Sequence, residues 1–455
     1  MKSQHVDIAV IGAGIVGLAC AYYLALSKRT PKVAVIDPLP PMSLTSAASG
    51  ENYRNWWPHP VMTAFTDFST DLMEAISNES DNRLHMTRRG YALATRQANP
   101  DELLRQLHEG YGAEGAGKIR THRKGSRSSY RPAASAEWQS APDGVDIIQD
   151  RDILQRCFPT FDRDVATVLH IRRAGDISGQ QLGSFMLERV RAKGGKVIRG
   201  RVVEISRTQN FTLKVVDEDS RTSLTTDIVV NAAGPSVGDV AALLGEKLPV
   251  VNVFQQKIAF EDVRGAIDRQ MPFSIDLDGQ AIDWTAQERA VLAEDPASEW
   301  LTKAMPGAIH CRPEGGDRGN WIKVGWAFNT TPSVPVPDLP LDANFPEIVL
   351  RGASRLNPGL KAYNGRLPSR LSHYGGYYTM TKENWPLIGP MNTDGAYVAG
   401  ALSGFGTMGA CATGALCARW VYGDALPAFA RSLSLARYDD KTLMQSLLEG
   451  DTGVL

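Results

Sequence analysis

Val6-Asp-Ile-Ala-Val-Ile11-Gly12-Ala-Gly14-Ile-Val-Gly17, continued without a charge to Leu26 and followed by Lys32-Val-Ala-Val-Ile-Asp37, decides how this chain folds. The β-branched run ending at Ile11 reads as a buried strand, and Leu18 to Leu26 has helical character. Between them each glycine has a physical task. Gly12 permits a tight turn, Gly14 lets the backbone approach a pyrophosphate, and Gly17 lets helix and strand pack closely, which leaves phosphates at the positive end of the helix. Asp37 closes a second strand twenty residues after Gly17, where a carboxylate can accept hydrogen bonds from ribose hydroxyls. Gly12, Gly14, Ile15, Val16, Gly17 and Asp37 are therefore expected to hold a dinucleotide.

The nineteen uncharged residues from Ile8 to Leu26 also have the length of a membrane span or secretion signal. The glycine pattern, Asp7 ahead of the run and the second apolar strand behind it argue for strand, helix, strand instead. At 455 residues the chain exceeds the size of one growing core, so two domains are expected. Its 49 basic and 50 acidic residues are interspersed and give a net charge of -1, which leaves nucleic acid or an anionic membrane no footprint. The five cysteines are odd in number, scattered and never spaced C-x-x-C, so neither a disulfide framework nor a structural metal site is indicated. A reducing, cytoplasmic location and a small-molecule enzyme fit this composition.

NAD and FAD share the glycine fingerprint, and residues further along separate them. Thr45-Ser46-Ala-Ala-Ser-Gly50-Glu51-Asn52 resembles the serine-rich segment that wraps the flavin pyrophosphate in the D-amino-acid oxidase and sarcosine oxidase superfamily. Gly200-Arg-Val202 resembles the strand whose valine backbone contacts adenine, and Asn231-Ala-Ala233-Gly234-Pro235 the second glycine-bearing strand end. Asn384 to Pro390 and Val398 to Gly406 resemble the closing segment, whose helix N-terminus, with Gly404, Gly406, Thr407 and Met408, faces the isoalloxazine carbonyl edge.

The resemblance implies an α/β chain: a Rossmann-like, glutathione-reductase-type FAD domain interleaved with an antiparallel-sheet substrate domain. Its FAD-binding pieces would be residues 1–85, 150–245 and 355–455, and its substrate-binding pieces 86–149 and 246–354. Arg89 to Thr95, Pro249 to Phe260 and Asn320 to Trp326 read as strands of the substrate sheet. Gly112 to Asp143 is basic and loop-like, and Asp283 to Met305 reads as an added amphipathic helix; each is either surface elaboration or a lid or subunit contact.

A bound flavin accepts a hydride at N5 from a carbon beside nitrogen, so the protein needs only to place that carbon and tune the charge. The resemblance gives Lys323 the place of a lysine that helps oxygen react with reduced flavin, and Arg54 that of a cation beside the ring; a fixed cation there stabilises developing negative charge. The plain alternatives are a strand lysine reaching solvent and a surface ion pair. Two carboxylate anchors of sarcosine oxidases correspond to Trp57 and Met408. An unpaired buried carboxylate costs about 3–5 kcal/mol, a hundred- to thousandfold in affinity. The expected substrate is accordingly bulkier or more apolar than sarcosine, packed on Trp57 and Phe405, or its acid is held by Arg366 or Arg370. Trp56 and Trp57 read equally well as core. Gly376 stands where some relatives attach FAD through cysteine, which implies non-covalent FAD, with Tyr378 close to the ring.

The leading reading is FAD-dependent oxidation of a C–N bond in a secondary amine or amino acid, giving an imine that hydrolyses, with oxygen or another acceptor taking the electrons. The alternatives are a flavin-binding assembly or interaction protein and an NAD-linked dehydrogenase.

Overall fold

The strand Gln4–Ile11 lies at the middle of an eight-stranded sheet because it carries apolar side chains on both faces, the pattern of a buried parallel strand. It runs parallel to Val33–Asp37 on one side and to the long strand Arg221–Asn231 on the other. Lys196–Arg199 closes the first edge. Arg221–Asn231 splits its pairing: its first half is antiparallel to Phe211–Val216, while Val229 to Asn231 pair in parallel with Ala396–Gly400. The computed structural model describes residues 4–124, 130–133, 138–218, 220–316 and 318–449.

The helix Ile15–Ala25 has no charged side chain and is buried nearly all round, between Gly406–Tyr422 and Gly179–Ala192. Its entry depends on two glycines. A Cβ on Gly17 would stand 1.9 Å from the Gly12 carbonyl oxygen, and Gly12 itself has φ +111° with the Ala232 carbonyl 2.2 Å from where its Cβ would be.

A second sheet has nine strands, in the order Leu371–Met380, Val251–Glu261, Trp321–Gly325, Ile309–Glu314, Phe273–Asp276, Tyr91–Thr95, Thr167–Ile171, Val145–Ile148 and Ile119–His122. The three strands expected for it from the sequence are present. It is mixed rather than purely antiparallel: Phe273–Asp276 is parallel to Tyr91–Thr95, and Ile119–His122 to Val145–Ile148.

The expected domain pieces need correction at two places. Thr167–Ile171 lies within 150–245, and Leu371–Met380 within 355–455, yet both belong to the nine-stranded sheet. Thr167–Ile171 continues from Val145–Ile148 of the same sheet, and the chain crosses back to the eight-stranded sheet only at Leu387–Pro390, after Leu371–Met380. The expected amphipathic helix in 283–305 is Ala286–Glu294, and none of its residues is buried; the capping box at Thr285 and Glu288 sustains it on the surface. In 112–143 the expected loop contains the end of the helix Asp101–Gly115 and the strand Ile119–His122, while 125–129 and 134–137 lie outside the described residues.

Candidate active site

Two adjoining cavities occupy the junction of the sheets. The first follows the carboxyl ends of the parallel strands and is lined by Gly12, Gly14, Ile15, Val16, Asp37, Thr45, Ser46, Ala233, Gly234, Gly404, Gly406 and Thr407 among others. Asp37 braces the glycine turn: one carboxylate oxygen accepts from the Ala13 amide at 2.7 Å and the other from the Leu39 amide at 2.8 Å. Ser46 accepts from the Ile15 amide at 3.0 Å.

Two helix N-termini open onto this cavity, Ile15–Ala25 behind Gly14 and Gly406–Tyr422 behind Phe405. Neither N-cap residue caps its helix and neither first turn holds an acidic residue, so apart from the Ile15 amide taken by Ser46 the amide dipoles are left for a ligand. A ligand that brings a pyrophosphate to one helix end and an electron-rich carbonyl edge to the other satisfies both, and FAD is such a molecule.

The second cavity, about 340 Å³, is lined by Trp57, Tyr91, Phe273, Phe405 and Met408, by Val251 and Val253, and by the polar groups of Asn52, Lys257, His310, Thr381, Lys382 and Asn384. It shares a wall with the first: Ser49, Gln255, Lys257, Tyr378, Ser403, Gly404 and Thr407 line both. Lys257 donates to the Tyr378 hydroxyl at 3.2 Å. Gly404 admits the Tyr378 ring, since a Cβ there would be 2.5 Å from it. No ion pair of Lys257 with a carboxylate occurs among the described residues. Burial, and then the charge of Lys257, press the His310 imidazole down to about 3, so it is neutral at ordinary pH.

The residues expected from the sequence divide between these places. Most of the cofactor set lines the first cavity. Gly50, Glu51, Asn52 and Met408 line the second instead, because the chain turns after Ser49 and Met408 sits one helical step past the glycine loop. Gly17 faces the glycine turn rather than the cavity, acting through packing. Val202 lines neither cavity; its side chain is buried in the core beneath the sheet edge with Phe211 and Leu213. Trp57, Tyr378 and Phe405, expected near the substrate or the flavin ring, line the second cavity.

The two residues expected to be catalytic line neither cavity. Lys323 lines neither cavity; its ammonium bridges Glu51 at 2.7 Å and Glu314 at 3.1 Å, and Glu51 also accepts from the Gly179 amide. Arg54 lies behind the cavity wall, buried against the Trp57 ring at 4.7 Å, with Trp56 and Tyr91 each 5.7 Å away. Arg366 is exposed on a turn, and Arg370 pairs with Glu261 on the surface, so neither reaches a cavity. The residue missed is Lys257. Its signal was present: it is the one charge in Val251-Asn-Val-Phe-Gln-Gln-Lys-Ile-Ala-Phe260.

A family model described as FAD dependent oxidoreductase matches residues 7–420. No curated protein matches the sequence. Among solved structures, glycine oxidase from Geobacillus kaustophilus is 17% identical with a TM-score of 0.70, over 96% of this chain and 99% of that one. L-Proline dehydrogenase from P. horikoshii is 18% identical with a TM-score of 0.69, over 96% and 99%. Iminodiacetate oxidase from Chelativorans sp. BNC1 is 17% identical with a TM-score of 0.67, over 92% and 97%. No helix among the described residues is long and apolar enough to cross a membrane. With the glycine turn, the two helix N-termini at the cavity and a match over almost its whole length, the chain belongs to the family of FAD-dependent oxidoreductases.

Proposed function

We propose that this protein oxidises a C–N bond in a secondary amine or amino acid bulkier or more apolar than sarcosine, with non-covalent FAD. The observation that carries the reading is the common wall: a substrate in the aromatic cavity touches the same seven residues as a ligand in the cofactor cavity. Glycine, proline and iminodiacetate, the compounds in the names of the similar structures, are all amines that carry a carboxylate.

Bound FAD supplies the two-electron acceptor; the chain supplies place and charge. Trp57, Phe405 and Met408, with Tyr91 and Phe273, exclude water and hold the apolar part of the substrate. Tyr378 accepts from Lys257 and so keeps its own proton to donate toward the substrate. Lys257 takes the part expected of Lys323, a fixed cation at the wall. Lys382, exposed at the cavity, meets a substrate carboxylate in place of Arg366. All five cysteines are free thiols, which supports a reducing, cytoplasmic setting.

The test is an anaerobic panel of amines and amino acids scored by bleaching of the flavin absorbance. Bleaching by large apolar amines over sarcosine supports the reading; a holoprotein that no member of the panel reduces refutes it.

A further inference from the structure

The strand Leu371–Met380 leaves the sheet through a turn that contributes Thr381, Lys382 and Asn384 to the second cavity but turns Glu383 away from it. The turn is closed by Thr381, whose hydroxyl donates to the Trp385 carbonyl at 2.8 Å and accepts from the Trp385 amide at 3.0 Å. Asn384 has φ +61° and bonds Ser403, a residue of the common wall. Asparagine tolerates this left-handed backbone better than most residues, and its surroundings hold it there.

The surroundings come from the C-terminal segment. Arg437, in the short helix Leu435–Asp439, donates to Glu383 at 2.7 Å, to the Pro386 carbonyl at 2.7 Å and to the Trp385 carbonyl at 3.2 Å. The Tyr438 hydroxyl adds a bond to the same Glu383 oxygen at 2.8 Å. Both ionic partners are 1% exposed. A pair so deeply buried adds little net stability, because desolvation offsets its attraction and apolar replacement is often neutral; what it supplies is direction.

Resting on the reading of the second cavity as the substrate site, we propose that Arg437 and Glu383 are positioning residues: through them the C-terminal segment sets where Lys382 and Asn384 stand against the substrate. They touch neither substrate nor cofactor. Their loss loosens substrate binding while the chemistry at the common wall persists.

The experiment uses the holoenzyme with the amine that best bleaches its flavin. Variants are Arg437→Lys, Glu383→Gln and the double apolar replacement Arg437→Met with Glu383→Met; Arg370→Ala, which breaks an exposed pair, is the control. The expected result is a KM raised about tenfold or more in the variants, with the limiting rate of flavin reduction within about threefold of the parent and an unchanged flavin spectrum. Hydrogen exchange of the amides in 382–385 accelerates while that of the nine-stranded sheet does not. A folded variant in which neither KM nor that exchange moves overturns the proposal, as does one in which the reduction rate falls as far as the affinity. If the double variant fails to fold, the two single conservative variants carry the same readings. If no amine bleaches the parent flavin, the proposed function fails by itself, and local exchange still decides the role of the pair.

Discussion

Lys257 and Tyr378 stand 121 residues apart in sequence and are joined by a 3.2 Å hydrogen bond in the wall between the two cavities. The bond follows from register. Lys257 pairs across the sheet with Tyr374 and Val253 with Tyr378, so the long lysine stem reaches along its strand to the tyrosine tip.

Replacing Lys257 with Met removes the cation from that wall. Losing one preorganised group at a reacting centre costs about 100- to 1000-fold in rate, and a fall of that order is expected in amine-driven reduction or in reoxidation of the flavin, with FAD retained. Lys323→Met behaves differently, leaving Glu51 and Glu314 without their ammonium. Because those groups are partly exposed, the loss is about 2 kcal/mol of stability, between the values for exposed and fully buried pairs. Stopped-flow reduction and reoxidation beside thermal unfolding tests both, and the assignment falls if Lys323→Met is the slow enzyme and Lys257→Met is not.

The dinucleotide half was legible because its information is local: one strand, three glycines and one acid within 32 residues of chain, from Val6 to Asp37. The substrate half was not, because its wall is made by register between distant strands. Lys323 shows the limit. It pairs with Ala259, whereas Gly325 is the residue opposite Lys257, and the missing side chain of Gly325 makes room for the Lys257 stem and for His310. A slip of two residues between neighbouring strands thus separates the lysine at the wall from the lysine in an ion pair, and nothing in either strand alone reveals it. Arg366 and Arg370 line neither cavity for a different reason, since a turn and a strand edge look alike in sequence.

FAD is expected to leave the protein on denaturation. Gly376 lines the first cavity and offers no side chain, and a Cβ there would already be 3.2 Å from the Thr45 Cα. Neither cysteine nor histidine lines that cavity among the described residues. Unfolding in guanidinium followed by ultrafiltration should carry all flavin colour into the filtrate; colour that stays with the polypeptide contradicts non-covalent binding.

Arg366→Ala should leave KM for any amine substrate within about twofold, since a surface side chain away from the site changes free energies by less than 0.5 kcal/mol or so. Lys382→Ala, at the cavity itself, should raise KM for carboxylate-bearing amines and spare those without a carboxylate. Steady-state kinetics with matched acid and amide substrates separates the two, and an Arg366 effect equal to that of Lys382 would return the anchor to the exposed turn.

Acid should weaken the fold before any carboxylate is protonated. His310 and His170 are each held down to about 3 from an ordinary 6.5, in both cases chiefly by burial, with Lys257 and Arg172 as the next causes. Between those values the unfolded chain binds protons that the folded chain refuses, so stability present above pH 6.5 is lost as pH falls toward 3. Asp146, pushed up by burial but held down to about 2 by its hydrogen bonds with Arg120 and His122 and by the charges of Arg172 and Arg120, adds a loss only below its ordinary 3.8. Melting temperatures from pH 7 to 4 should therefore fall, and His310→Asn should flatten the slope. A parent curve that is level down to pH 4 would contradict the buried neutral imidazoles.

Asp37 does two things with one carboxylate, and the consequences of losing them can be separated. It fixes the glycine turn through the Ala13 and Leu39 amides, and it faces the first cavity where ribose hydroxyls are expected. A hydrogen bond to a charged group is worth about 1.5–3 kcal/mol, so Asp37→Ala should weaken FAD binding by about 10- to 100-fold for one such bond. Asp37→Asn retains one acceptor and should fall between. Because the common wall is untouched, saturating FAD should restore the parent rate of amine-driven reduction in both variants. Titration of apoprotein with FAD by fluorescence quenching gives the affinities. If Asp37→Ala binds FAD as tightly as the parent, the adenosine end of the cofactor lies elsewhere; if excess FAD fails to restore the rate, the turn, and not the ribose contact, is what Asp37 chiefly holds.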